Sequence, residues 1–194
     1  MKACGFTGYR PEKMPFKTDE SHPDCLLLKR ELEQQVRIAV EEGYTHFICG
    51  GARGADTYAA EAILKVQKER PGIILEIAAP FWGQERKWSY ADQRRYHDIL
   101  ERAQRITYVT DEEKRENYMI RNRYIVDRAS RLIAVFDGRP GGTAMTVRYA
   151  HQCGAEVIEI RPDGVVTDSL YVRQMRLFAP IEYDAFGEDE DENR

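Results

Sequence analysis

The sequence has no apolar run approaching the roughly 20 residues that cross a bilayer, so no membrane partner is expected. Its start, Met1-Lys2-Ala3-Cys4-Gly5-Phe6, lacks the apolar core and cleavage pattern of a secretory signal, and the expected compartment is the cytosol. Cysteine is scarce: Cys4, Cys25, Cys49 and Cys153 form no C-x-x-C pair, which points to reduced, mostly buried thiols rather than a metal or redox centre. The four histidines, His22, His46, His97 and His151, show no metal spacing and read as structural or exposed. No metal or cofactor is called for. Charge of either sign is nearly balanced: 29 Lys and Arg against 33 Asp and Glu leave a net charge of −4. That excludes a strong non-specific grip on nucleic acid from charge alone, so nucleic acid is not expected as a partner. Neither G-x-G-x-x-G nor a Walker loop is found.

What is present is an ordinary globular mix, 42% hydrophobic and 32% charged over 194 residues. Short apolar segments rich in strand formers alternate with longer segments of helical spacing. The former are Lys2–Thr7, Thr45–Cys49, Ile73–Ala79, Ile106–Val109, Leu132–Phe136 and Val157–Ile160. Apolar stripes such as Leu28, Leu32, Val36 and Ala39 mark helices between them, with Gly43, Pro71-Gly72 and Gly154 as stops. The alternation predicts an α/β fold: a mainly parallel sheet of about six strands with helices on both faces. Residues 1–161 form the domain. Residues 162–186 read as a C-terminal appendage, and 187–194 as an acidic, disordered tail.

In such folds ligands bind at the carboxyl ends of the strands. Glycine-bearing turns follow several of them. Gly50-Gly51-Ala52-Arg53-Gly54-Ala55-Asp56 combines backbone freedom with an arginine able to hold a phosphate and an aspartate in the first helical turn. Asp56 is placed to cap the helix or accept from a sugar hydroxyl. Gly141-Gly142-Thr143 repeats the chemistry after the fifth strand, with a plain turn capped by Thr143 as the structural alternative. Two such turns on one sheet can converge on an anion, with Arg10 and Arg53 supplying charge. Arg121-Asn122-Arg123 reads as a solvated helix face in which Asn122 is partly buried. Trp82, Trp88 and Tyr90 read as packing or lid residues.

Taken together, Gly50–Asp56, Thr7-Gly8-Tyr9-Arg10-Pro11, Arg121-Asn122-Arg123 and Asp137 with Gly141-Gly142-Thr143 resemble the SLOG superfamily. That group includes the DNA-processing protein A and the LOG phosphoribohydrolases, and the order of motifs is most similar to its YpsA-like branch. The resemblance implies a Rossmann-like three-layer sandwich and a nucleotide-related ligand. The binding candidates it carries over are Gly8, Arg10, Gly50, Gly51, Arg53, Gly54, Asp56, Gly141, Gly142 and Thr143. It also implies self-association. The phosphoribohydrolases carry P-G-G-x-G-T-x-x-E with a catalytic glutamate. Here Pro140-Gly141-Gly142-Thr143-Ala144-Met145-Thr146-Val147-Arg148 puts Arg148 at the glutamate position, or Thr146 in a shifted register. Neither is a carboxylate base. The expected role is therefore binding or sensing of a nucleotide or nucleotide-derived small molecule. The alternatives are N-glycosidic cleavage by another carboxylate, with Asp56, Asp137 and Glu61 as candidates, and single-stranded DNA binding.

Overall fold

A computed structural model describes residues 2–114 and 116–167 of the chain. Six strands, β1 (Lys2–Gly8), β2 (Tyr44–Cys49), β3 (Ile74–Ala79), β4 (Arg105–Tyr108), β5 (Arg131–Val135) and β6 (Glu156–Ile160), run parallel. A two-residue β7 (Val166–Thr167) pairs antiparallel with β6, giving the order β4-β3-β2-β1-β5-β6-β7. Each of the six parallel strands lies within one or two residues of its expected segment, because glycine, proline or charge bounds each apolar run. Most of the expected appendage and all of the acidic tail lie outside the described residues.

Five helices connect the strands: α1 (Pro23–Glu41), α2 (Ala55–Glu69), α3 (Tyr90–Arg102), α4 (Asn117–Arg128) and α5 (Gly142–Gln152). Gly5 meets Ile125 of α4 and Ala129 just past its end, whereas Gly8, on the opposite pleat of β1, meets Ala55 of α2. Helices thus cover both faces, and β5 is buried at all five positions. The α1 stripe Leu28, Leu32, Val36 and Ala39 is fully buried. Each large side chain so removed from water contributes about 1.5–3 kcal/mol. The direction of sequential strand addition reverses at β1, which lies between β2 and β5. Parallel α/β sheets open their ligand crevice at such a reversal.

One polar cluster interrupts the core. Glu76 of β3, fully buried, accepts from His46 Nε2 of β2 (2.7 Å), Thr107 Oγ1 of β4 (2.8 Å) and the Tyr124 hydroxyl of α4 (2.7 Å). Arg105 Nη1 stands 3.4 Å away. Burial pushes the Glu76 carboxyl up, but the hydrogen bonds from Tyr124 and Thr107 and the nearby His46 outweigh it and hold the group low. The cluster ties α4 to the sheet.

Candidate functional site

The three central strands deliver their following turns to one place. After β1 the chain runs through Tyr9 and Arg10 into a single 3₁₀ turn, Pro11–Lys13. After β2 comes the Gly50–Gly54 turn, and after β5 the turn from Asp137 to Gly141.

The first glycine turn is closed by the protein itself. Gly54 caps α2 at φ +83°, and a Cβ there would stand 2.7 Å from the Tyr9 carbonyl. That carbonyl accepts the Ala55 amide at 3.1 Å, which satisfies the first free N–H of the helix. Asp56 is buried and turns back to accept the Ala52 amide at 3.2 Å. It does not cap its own helix, contrary to that expected role. The Arg53 side chain pairs with Glu12 (2.5 Å) and Asp92 (3.8 Å).

The second turn is open. Gly141, at φ +141°, precedes α5, and among the described residues no side chain caps this helix. Its first turn holds no acidic residue, so the amides at Gly142 and Thr143 lie at a positive helix end without a resident carboxylate. Thr143 is the second residue of the helix and not its cap. Lys13 Nζ comes close enough that a Cβ on Gly141 would stand 2.7 Å from it. Asp137 is bound in place, accepting from the Tyr9 hydroxyl (2.5 Å) and from Arg139 Nε (2.9 Å). Burial pushes its carboxyl up, but the hydrogen bonds from Arg139 and Tyr9 prevail and hold it low.

Arg121 of α4 is the main departure from the expected solvated face. It is 6% exposed, beneath the first glycine turn. An ideal Cβ on Gly50 would fall 1.4 Å from its Nη1, so only glycine leaves room for the guanidinium. Nη1 approaches Asp56 Oδ2 at 3.5 Å, and Nε donates to Asn122 Oδ1 at 2.8 Å. Asn122 Nδ2 in turn donates to Thr146 Oγ1 (2.9 Å), which donates to the Gly142 carbonyl (2.9 Å). A continuous polar chain therefore joins Asp56 in the first turn to Gly142 in the second. Asn122 is partly buried with these partners, as expected. The Arg10 guanidinium lies 5.0 Å from the Tyr118 ring centre and acts electrostatically on both Asp56 and Arg121.

Residues 4–158 match the family model of YpsA, the YspA SLOG family. The chain belongs to this family. A UPF0398 protein of Halalkalibacterium halodurans is 30% identical over 153 residues, covering 77% of this chain and 80% of the relative. One from Bacillus cereus strain G9842 is 30% identical over 158 residues, covering 79% and 85%. Two solved structures of DNA processing protein A share the fold at a TM-score of 0.55. The Helicobacter pylori protein, described by its single-stranded DNA binding mode, is 16% identical, with 82% of this chain and 65% of that one covered. The Streptococcus pneumoniae protein is 17% identical, with 91% and 55% covered. This chain thus spans less than two thirds of either structure.

In this SLOG member the ten candidate residues fall in three groups. Gly8 ends β1 and Arg10 follows it, Gly50 and Gly51 follow β2, and Gly141, Gly142 and Thr143 lie at the start of α5 after β5. Gly54 and Asp56 are taken up in closing the first turn, and Arg53 faces outward. Lys13, Tyr118 and Arg121 were not among the candidates. Arg121 was legible: Asn117, Arg121 and Ile125 recur every four residues, and all three are buried. Glu61 pairs with Arg95 on α3 and lies apart from the crevice. Trp88 packs on Tyr96 with ring centres 5.4 Å apart, whereas Trp82 is 67% exposed beneath Arg86. Cys4, Cys25 and Cys49 are buried and Cys153 is exposed. No helix among the described residues is long and apolar enough to cross a membrane.

Proposed function

We propose that this SLOG protein binds a nucleotide or nucleotide-derived small molecule by its phosphate, at the α5 N-terminus. One observation carries the reading. An uncapped helix end, opened by Gly141-Gly142, faces Lys13 and is hydrogen-bonded through Thr146 and Asn122 to the buried Arg121. Amides at a helix end and several cations together suit an oxyanion, each charge-assisted hydrogen bond contributing about 1.5–3 kcal/mol. Binding at this end, rather than at α2, follows from the closure of the first turn by Tyr9 and Asp56.

Isothermal titration against mononucleotides, dinucleotides and ADP-ribose derivatives tests it. Binding tighter than about 1 mM, weakened at least tenfold in Lys13→Ala, is the expected outcome. No binding across the panel contradicts the reading. Arg53→Ala is expected to lower affinity only slightly, since Glu12 and Asp92 already engage that side chain.

Single-stranded DNA binding is the second reading, favoured by the shared fold with the Helicobacter pylori protein. It runs against the expectation that nucleic acid is no partner. A gel shift of an oligonucleotide that persists above about 200 mM salt would favour it over the small-molecule reading. N-glycosidic cleavage finds less support: it needs a raised carboxyl acid open to substrate, and Asp137 is held low while Asp56, pushed up by burial, is enclosed beside Arg121 and the Ala52 amide.

A further inference from the structure

The crevice contains an anion of its own. Asp56 and Arg121 are both buried, yet they meet only once, at 3.5 Å, the outer limit of a hydrogen bond. A bidentate arginine–carboxylate pair would close to about 2.8 Å at two points. The guanidinium is held elsewhere, through Nε to Asn122 and by contact with the Gly50 backbone. Its Nη2 donates to no described residue. The Arg121 side chain as a whole keeps 7% of its surface exposed.

Resting on the phosphate-binding reading, we infer that Asp56 is the resident counter-ion of Arg121: an incoming dianion takes the guanidinium, and Asp56 takes one proton from solvent. Burying an unpaired carboxylate costs several kcal/mol, and protonation removes that cost. The groups facing Asp56 are few. Arg121 faces it from α4, Arg10 from the turn after β1 and Cys49 from the end of β2, with the Ala52 and Gly50 amides beside it. Tyr118 faces Arg121 from the preceding turn of α4. Burial pushes the Asp56 carboxyl up, opposed by Arg121, the Ala52 amide and Arg10. Loss of Arg121 to a ligand removes the largest of the opposing influences. The site therefore selects a group that outcompetes a carboxylate for arginine, and it binds more tightly as pH falls.

Sulfate is a suitable probe because it stays dianionic across the range of interest, so any pH dependence belongs to the protein. Its dissociation constant is measured by amide NMR titration from pH 5 to 8 on the wild-type chain and on Asp56→Asn. The expected result is affinity rising about tenfold per pH unit on acidification, over a window that begins above the ordinary carboxylate range. Asp56→Asn, which keeps an acceptor for the Ala52 amide, is expected to hold the high affinity of the acid limb at every pH. Sulfate binding with no pH dependence in the wild type overturns the counter-ion role and leaves the cradle standing. A pH dependence that survives in Asp56→Asn also overturns it. Absence of sulfate binding at every pH overturns the cradle itself.

Discussion

Replacing Gly50 by alanine is the sharpest perturbation of the crevice. The backbone there is not in the left-handed region, so alanine brings no conformational strain. Its effect is wholly steric. The added Cβ would lie 1.4 Å from Arg121 Nη1, 2.2 Å from Cζ and 2.7 Å from Asp56 Oδ2. No small adjustment relieves a 1.4 Å approach between heavy atoms, and the guanidinium must leave. Its departure strands a buried carboxylate and breaks the path through Asn122 to the second turn. Losing one partner of a buried ion pair costs about 3–5 kcal/mol. Swinging of the long arginine side chain to solvent and protonation of Asp56 recover part of that, leaving about 3 kcal/mol. In a chain of this size such a loss lowers Tm by about 6–12 °C. Gly142→Ala is the matched control: its Cβ meets nothing within 4 Å and its φ is not positive. It is expected to change stability by less than about 0.5 kcal/mol. Urea unfolding of both variants, followed by circular dichroism, measures the difference. Gly50→Ala as stable as Gly142→Ala would refute the placement of Arg121 over the first turn.

Three further outcomes follow from the polar interior and the thiols. Glu76 is held low in the fold, so its contribution is present above the ordinary carboxylate range and lost as pH falls through its folded value. Glu76→Gln is expected to be less stable at pH 7 and to show a flatter acid limb in unfolding curves from pH 7 to 3. Tyr9→Phe removes the hydroxyl that Asp137 holds at 2.5 Å, a group pushed up to about 12 mainly by burial. The loss is expected to be about 1–2 kcal/mol by the same unfolding assay, because a partly buried carboxylate loses a donor. Burial pushes the Cys4, Cys49 and Cys25 thiols up. A disulfide exchange reagent is expected to label Cys153 alone in the native protein and all four cysteines after denaturation.

The strands and helices were legible because each apolar run ends at a glycine, proline or charge. The crevice was legible in outline for the same reason: a glycine ends β1, and glycines follow β2 and β5. What differs between the two glycine turns was not legible. The Ala55 amide is taken by the Tyr9 carbonyl, a backbone contact across 46 positions that leaves no mark in local composition. Asp56 looks like a first-turn acid, yet it bonds backwards to Ala52 because Arg121 waits behind it. Arg121 itself was misread through its charge. Its spacing with Asn117 and Ile125 already placed it on the covered stripe of α4, and only the missing side chain at Gly50 makes room for it there. A buried arginine needs an empty position opposite, and that position lies 71 residues away in the chain.

The central claim is that an oxyanion sits on the α5 amides between Lys13 and Arg121. Mapping AMP onto the protein by backbone amide NMR tests it most directly. Saturable shifts are expected at Gly142 and Thr143, with the Arg121 side-chain Nε signal moving in step. Shifts concentrated at the α2 end, or spread over surface arginines without saturation, would contradict it.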